Sequence, residues 1–169
     1  MAVLRSAFVA AVLVAAYFVA PLRQQWSATT ALAFVGGLLL VVLVAGWQVR
    51  AVVRSPHPRL RALEALVLTL SLLFVLFAAS YFVLAQGRPT SFSQPLTRVD
   101  AFYFTTTVFA TVGFGDIAAR SQPARIVVTL QMFADLIYVT VLVRLLIKAA
   151  GTETTQSEGG TEPELPPRC

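Results

Sequence analysis

From Ala28 to Val49 the chain runs 22 residues without a charged side chain, and from Ala65 to Ala85 it does so again for 21. A helix rises about 1.5 Å per residue, so roughly 20 apolar residues cross the ~30 Å of hydrocarbon in a bilayer. Ser6–Leu22 is likewise apolar and uncharged, and Ile126–Val143 runs 18 residues with Asp135 as its single charge. Four spans are therefore expected. A fifth apolar stretch, Val99–Ala110, would reach only about 18 Å as a helix. It can enter a membrane but not cross it, and with Arg98–Asp100 before it and Gly113 and Gly115 after it, it reads as a re-entrant half-helix. Composition agrees: 57% hydrophobic and 12% charged residues leave too few charges to cover a soluble domain of this size, where about 25% is usual. The expected fold class is an all-α membrane protein of four transmembrane helices and one re-entrant helix.

The intervening segments, Gln24–Ser27, Ser55–His57 with Pro56 and Pro58, Gly87–Pro95 and Arg120–Pro123, read as interfacial turns. Three regions follow: 1–63 with two N-terminal spans and a basic loop, 64–150 with the half-helix between two spans, and a Gly/Pro/Thr/Glu-rich tail, 151–169, expected to be disordered. Arg5, Arg50, Arg54, Arg59, Arg61, Arg144, Lys148 and Arg168 fall on one side, against Arg23, Arg88, Arg98, Arg120 and Arg125 on the other. The excess places both termini and the 50–63 loop in the cytoplasm of a multi-pass protein of the plasma membrane. Arg50, Arg54, Arg59 and Arg61 could also bind anionic lipid headgroups. Trp26 and Trp47 read as interfacial anchors, Gly36-Gly37 as a possible close helix contact, and His57 as a solvated loop residue. Arg5 before the first stretch also fits a signal peptide, but Pro21 directly follows the small-residue site near Ala20. Cys169, the single cysteine, can form no intrachain disulfide.

The half-helix leads into Thr111-Val112-Gly113-Phe114-Gly115-Asp116. At membrane depth, non-helical backbone is tolerated only where it lines a polar path or is buried in protein. Glycines at alternate positions permit backbone angles closed to other residues, so successive carbonyls can aim toward one axis. A ring of such oxygens replaces the water shell of a cation. Thr111 adds a hydroxyl at the inner end and Asp116 a negative charge at the outer mouth. The carbonyl end of the half-helix dipole favours a cation over an anion. One loop cannot encircle an ion, so several chains must contribute.

In these residues the chain resembles the pore-loop potassium channels, which carry a T-V-G-[YF]-G-D filter between two helices around a four-fold axis. The resemblance covers Glu64–Ala150 and includes Ala101-Phe102-Tyr103-Phe104 opening the half-helix. It implies a homotetramer in which the carbonyls of Thr111, Val112, Gly113 and Phe114, with Gly115 and the Thr111 hydroxyl, hold permeating potassium ions. It also implies roles around the filter mouth for Asp116, Tyr103, Phe104 and Thr107. Phe114 stands where tyrosine is commoner, which removes a hydroxyl tether. Phe104 is then expected to face Phe114 in an apolar cuff, and Tyr103 to partner Asp116. Ala110 replaces a frequent second threonine, and Thr107 an acid that some members keep behind the filter.

Asp135 is the one acid inside a full span, a costly position unless it faces a pore or a partner. It is expected as a ring of four carboxylates lining the cavity, with a packing role between helices as the alternative. The function implied is passive, potassium-selective conduction, with a poorly selective cation pore as the alternative. The first two spans carry no ladder of arginines, so a voltage sensor is not expected. Gly113-Phe114-Gly115-Asp116 also matches the G-x-G-D of intramembrane aspartyl proteases, with Asp116 and Asp135 as the acid pair. The Tyr-Asp motif of those enzymes is missing, however, and about 19 residues of helix would separate the two acids by roughly 28 Å. No catalytic nucleophile, zinc spacing, phosphate loop or nucleic-acid motif is present, so neither an enzyme nor a cofactor is expected; potassium enters only as the permeating ion.

Overall fold

The structure is a computed structural model that describes the backbone of residues 2–19, 28–53 and 58–158, and the side chains of 8–19, 29–50, 52 and 61–144. Its elements are α1 (Ala2–Val19), α2 (Ala28–Val53), α3 (Pro58–Gly87), a single 3-10 turn (Pro89–Ser91), α4 (Arg98–Phe109) and α5 (Gln122–Glu158). Among the described residues three helices are long and apolar enough to cross a membrane, over Thr29–Arg50, Arg61–Gly87 and Gln122–Arg144. The fourth expected span, Ser6–Leu22, counts among the described residues only as the shorter apolar helix Phe8–Val19; Ala20–Leu22 lie outside the described residues.

Two boundaries differ from expectation. Of the expected 50–63 loop, residues 50–53 belong to α2 and 58–63 to α3, while 54–57, with Arg54 and His57, lie outside the described set. Proline is tolerated in the first turn of a helix, so α3 starts at Pro58. An Arg61–Glu64 ion pair at 3.2 Å then supports its first turns. At the other end, α5 runs on to Glu158, eight residues into the tail expected to lack structure. Between Pro123 and Pro163 no proline interrupts the helix. Residues 159–169, Cys169 included, lie outside the described set, as does Trp26.

α3 is the central post, and α1, α2, α4 and α5 all pack on it. α2 runs antiparallel to it, with Phe34 against Phe77 at 5.8 Å between ring centres and Thr69 donating to Gln48 at 3.2 Å. α5 is antiparallel too, since Tyr81 meets Gln131 and the Tyr138 hydroxyl donates to the Leu66 carbonyl. Lipid tails are as apolar as leucine, so such helices associate by close packing and interhelical hydrogen bonds. Small buried residues, Ala78, Ala101 and Ala124, sit at these contacts. Of the glycine pair, only Gly37 makes a close approach: a Cβ there would lie 2.7 Å from Leu76 Cδ1, whereas at Gly36 it would meet nothing. Trp47 is exposed on the outside of α2, as are Leu32, Leu39 and Leu43, the surface that lipid would cover.

Phe77, Tyr81 and Leu84 follow helical spacing on one face of α3 and are fully buried. Phe92 and Phe104 complete this core, with Tyr81–Phe104 at 5.1 Å, Tyr81–Phe92 at 5.9 Å and Phe92–Phe104 at 5.7 Å, all edge-on. Edge-on pairs of this kind contribute about 0.5–1.5 kcal/mol each beyond burial. The cluster pins α4 and the loop before it to the C-terminal half of α3. α4 has 12 residues, and the chain beyond it comes back to the level at which it entered, where Phe92 and Ala119 form an isolated antiparallel bridge.

Candidate functional site

The start of α4 is fixed by a capping box. Thr97 Oγ1 accepts from the Asp100 amide at 3.1 Å, and Asp100 Oδ2 accepts from the Thr97 amide at 2.8 Å and its hydroxyl at 2.6 Å. These bonds hold the Asp100 carboxyl below its ordinary value. The threonine hydroxyls of α4 turn back onto their own helix: Thr105 donates to Ala101 O, Thr106 to Phe102 O and Thr107 to Phe104 O, each at 2.9 Å. The part of Thr107 that reaches the next segment is thus its carbonyl, which accepts from the Val112 amide at 3.1 Å. Ala110 and Thr111 donate to Thr106 O and Val108 O in the same way.

These bonds consume amides and leave carbonyls free. Among the described residues, the carbonyls of Thr111, Val112, Gly113, Phe114 and Gly115 accept no hydrogen bond. The backbone here alternates in hand: Thr111, Gly113 and Gly115 have φ of +56°, +55° and +80°, while Val112 and Phe114 between them keep negative φ. Alternation of this kind tips successive carbonyls toward the same side of the strand. For glycine a positive φ is free, but for a β-branched residue it is an outlier. Strain of about 1–3 kcal/mol at Thr111 persists only where surrounding structure imposes it, and such sites cluster where proteins work. From Ala110 to Asp116 every residue is exposed in the single chain, with Phe114 at 69% and Val112 at 53%. A Cβ at Gly113 or Gly115 would meet nothing within 4 Å.

The far end of the segment is held by the loop after α3. Ser93 Oγ donates to Asp116 O at 3.1 Å and accepts from the Ala118 amide at 3.0 Å. The Ser93 amide donates to Ala118 O at 2.9 Å, and Ser91 O accepts from Arg120 and Ser121. Sequence reasoning missed both serines, since Ser-Phe-Ser in a polar loop carries no local signal for this contact.

Tyr103 and Asp116 lie near enough for the carboxylate to act on the phenol. Phe104 does not form the expected cuff within the chain. It is buried against Tyr81 and Phe92, and no ring contact joins it to Phe114 among the described residues.

Asp135 also departs from expectation. A cavity-lining side chain would be open in a single chain, whereas Asp135 is 7% exposed. Its Oδ2 accepts from Gln131 Nε2 at 3.1 Å, and its Oδ1 is buried with no hydrogen-bond partner among the described residues. Gln131 Nε2 also donates to Thr105 O at 3.0 Å, and Gln131 Oε1 accepts from the Tyr81 hydroxyl at 2.7 Å. The carboxyl thus lies behind α4 in a polar knot that joins α3, α4 and α5, away from Asp116. Gln131 was legible in principle: it stands four residues before Asp135 and so shares its helical face, and a second polar residue in an apolar run points to a buried partner. Among the described residues no group of His, Cys, Asp and Glu could hold a metal ion.

Two antiparallel helices thus flank a short helix and a strand of unspent carbonyls. Residues 68–151, about half the chain, match a family model. The matching family is that of the ion channels. The matched stretch takes in the last two thirds of α3, the whole of α4, the Thr111–Asp116 segment and α5 up to Gly151. The match supports a passive ion channel embedded in a membrane and assembled from more than one chain. No curated protein and no solved structure matches the chain.

Proposed function

We propose that the protein is a potassium-selective channel in which four copies of the chain surround one pore. The observation that carries this reading is the alternating backbone of Thr111–Gly115 with its five unspent carbonyls. Peptide carbonyls left unpaired at membrane depth are costly, and a dehydrated cation offsets that cost by taking them as ligands. On this reading α4 is the pore helix. Its carbonyl end at Phe109–Ala110 points at the foot of the filter and favours positive charge there. Thr111 supplies a further hydroxyl, and Asp116, with Tyr103 near it, holds negative charge at the mouth. The exposure of Ala110–Asp116 in one chain suits a surface that completes itself only against its neighbours. Both termini would be cytoplasmic in the plasma membrane, with Arg50, Arg54, Arg59 and Arg61 facing anionic headgroups on that side. Arg54 and the Arg59 side chain lie outside the described residues.

The decisive test is the reversal potential of the purified protein in bilayers with potassium on one side and sodium on the other. A reversal potential that follows the potassium gradient is expected. In Gly113→Ala, where alanine must adopt φ near +55° at a cost of about 1–2 kcal/mol, current or selectivity should be lost. Equal passage of sodium and potassium in the wild type would overturn the potassium reading in favour of a non-selective cation pore.

A further inference from the structure

The N-terminal helix reaches the pore helix through a latch. Arg98 is the first residue of α4, where the helix dipole is positive and a cation is unfavourable. Its guanidinium turns away: Nη1 donates to the carbonyl of Tyr17, in the last turn of α1, where helix carbonyls lack intrahelical partners and the dipole is negative. In return the Tyr17 hydroxyl donates to the Arg98 carbonyl at 2.9 Å. Tyr17 is 2% exposed, and the Arg98 guanidinium carbon sits 5.2 Å from the centre of the Phe82 ring. The first residue of α4 thus caps α1, across 81 positions of sequence.

From this latch a row of rings runs the length of α4. Phe102 lies 6.2 Å from Tyr17 and 5.9 Å from Phe74. Phe74 is 5.1 Å from Phe109, and Phe109 is 6.0 Å from Tyr138 on α5. Phe102 and Phe109 are seven residues apart and share a helical face. Phe109 is the last residue of α4, two before Thr111.

We propose that α1 is a regulatory arm on the filter, in which Tyr17 and Arg98 are positioning residues that hold the pore helix in its conducting posture. This rests on the channel reading above. Displacing α1 frees the head of α4, and the ring row passes that movement to the foot of the filter. An input acting on α1 would then reach the ion path without a voltage sensor or a ligand-binding domain.

The test uses the full chain in bilayers, with Tyr17→Phe, Arg98→Gln and Arg98→Lys. Tyr17→Phe keeps the ring and loses one bond of the latch; Arg98→Gln loses the guanidinium. One hydrogen bond made only in the conducting posture corresponds to roughly a two- to tenfold change in equilibrium. Each of these two variants should therefore lower the ratio of open to closed time by about that factor, with single-channel conductance and reversal potential unchanged. Arg98→Lys, which keeps a charged donor, should recover part of the loss. Amide exchange over residues 98–112 should quicken in Tyr17→Phe, a readout that does not depend on current. Unchanged open–closed ratios and exchange in a wild-type-like potassium channel overturn the arm alone. A wild type that passes no potassium overturns the channel reading and the arm with it. Variants that lose the assembled oligomer, rather than open time, assign the latch to assembly and also overturn the arm.

Discussion

Replacing Gln131 with leucine tests the buried knot at its centre. The side chain is fully buried and makes three hydrogen bonds, to Thr105 O, Asp135 Oδ2 and the Tyr81 hydroxyl. Between membrane helices such bonds average about 0.6 kcal/mol, and in general about 0.5–1.5 kcal/mol. Three of them lost together give a destabilisation of about 2–4 kcal/mol. The upper end is favoured because the Asp135 carboxyl, which already has one unpartnered oxygen, is left with none of its bonds. Leaving a buried polar group unpaired costs more than removing both partners. Asp135→Leu added to Gln131→Leu should therefore restore about 1–2 kcal/mol, and Asp135→Leu alone should lie within about 1 kcal/mol of wild type. Equilibrium unfolding of the detergent-solubilised protein, followed by near-ultraviolet circular dichroism, measures all three. A Gln131→Leu protein within about 0.5 kcal/mol of wild type, or a double variant less stable than Gln131→Leu, would refute the knot as a stabilising unit.

Because Asp135 lies behind α4, Asp135→Asn should leave the voltage dependence of block by internal polyamines unchanged; weakened block in current recordings would return the carboxylate to the cavity. Bonds from Thr97 lower the folded-state value of Asp100, so the capping box contributes stability that is fully present above the unfolded value near 3.8. That contribution is lost as pH falls below 3.8 and through the depressed folded value. Thermal melting between about pH 5 and pH 2.5 should accordingly show a smaller acid-dependent loss in Asp100→Asn than in wild type. Gly37→Ala must push Leu76 aside and should loosen α2 from α3, whereas Gly36→Ala meets open space and should melt as wild type does.

The parts of this protein that were legible in its sequence are those governed by local rules. Charge-free length marks α2 and α3, and a run broken only by Asp135 marks α5, because hydrocarbon thickness sets a minimum that few soluble helices reach. The shortness of α4 and the glycine alternation after it were equally plain, since both follow from the geometry of a few adjacent residues. The direction of a side chain around a helix buried on several sides was not. In Ile126–Val143 almost every position is apolar, so no stripe says which face meets the pore, and Asp135 is turned toward α4 by a glutamine. Thr111 was read for its hydroxyl, whereas its backbone shares the left-handed geometry of the glycines, which no residue preference announces. Phe104 is drawn to Tyr81 and Phe92, partners 23 and 12 residues away, and the Tyr17–Arg98 pairing spans 81. Contacts of that kind depend on how whole helices come together.

The Ser93 contacts have a mechanical consequence. Val112 is moored to Thr107 at one end of the carbonyl strand, and Asp116 to Ser93 at the other, so the strand is a short cord pegged twice within its own chain. Its tension is set by the spacing of the two pegs. On the channel reading, anything that grips or lengthens the outer loop near Ser93 retunes the cord, and ions feel the change although nothing has entered their path.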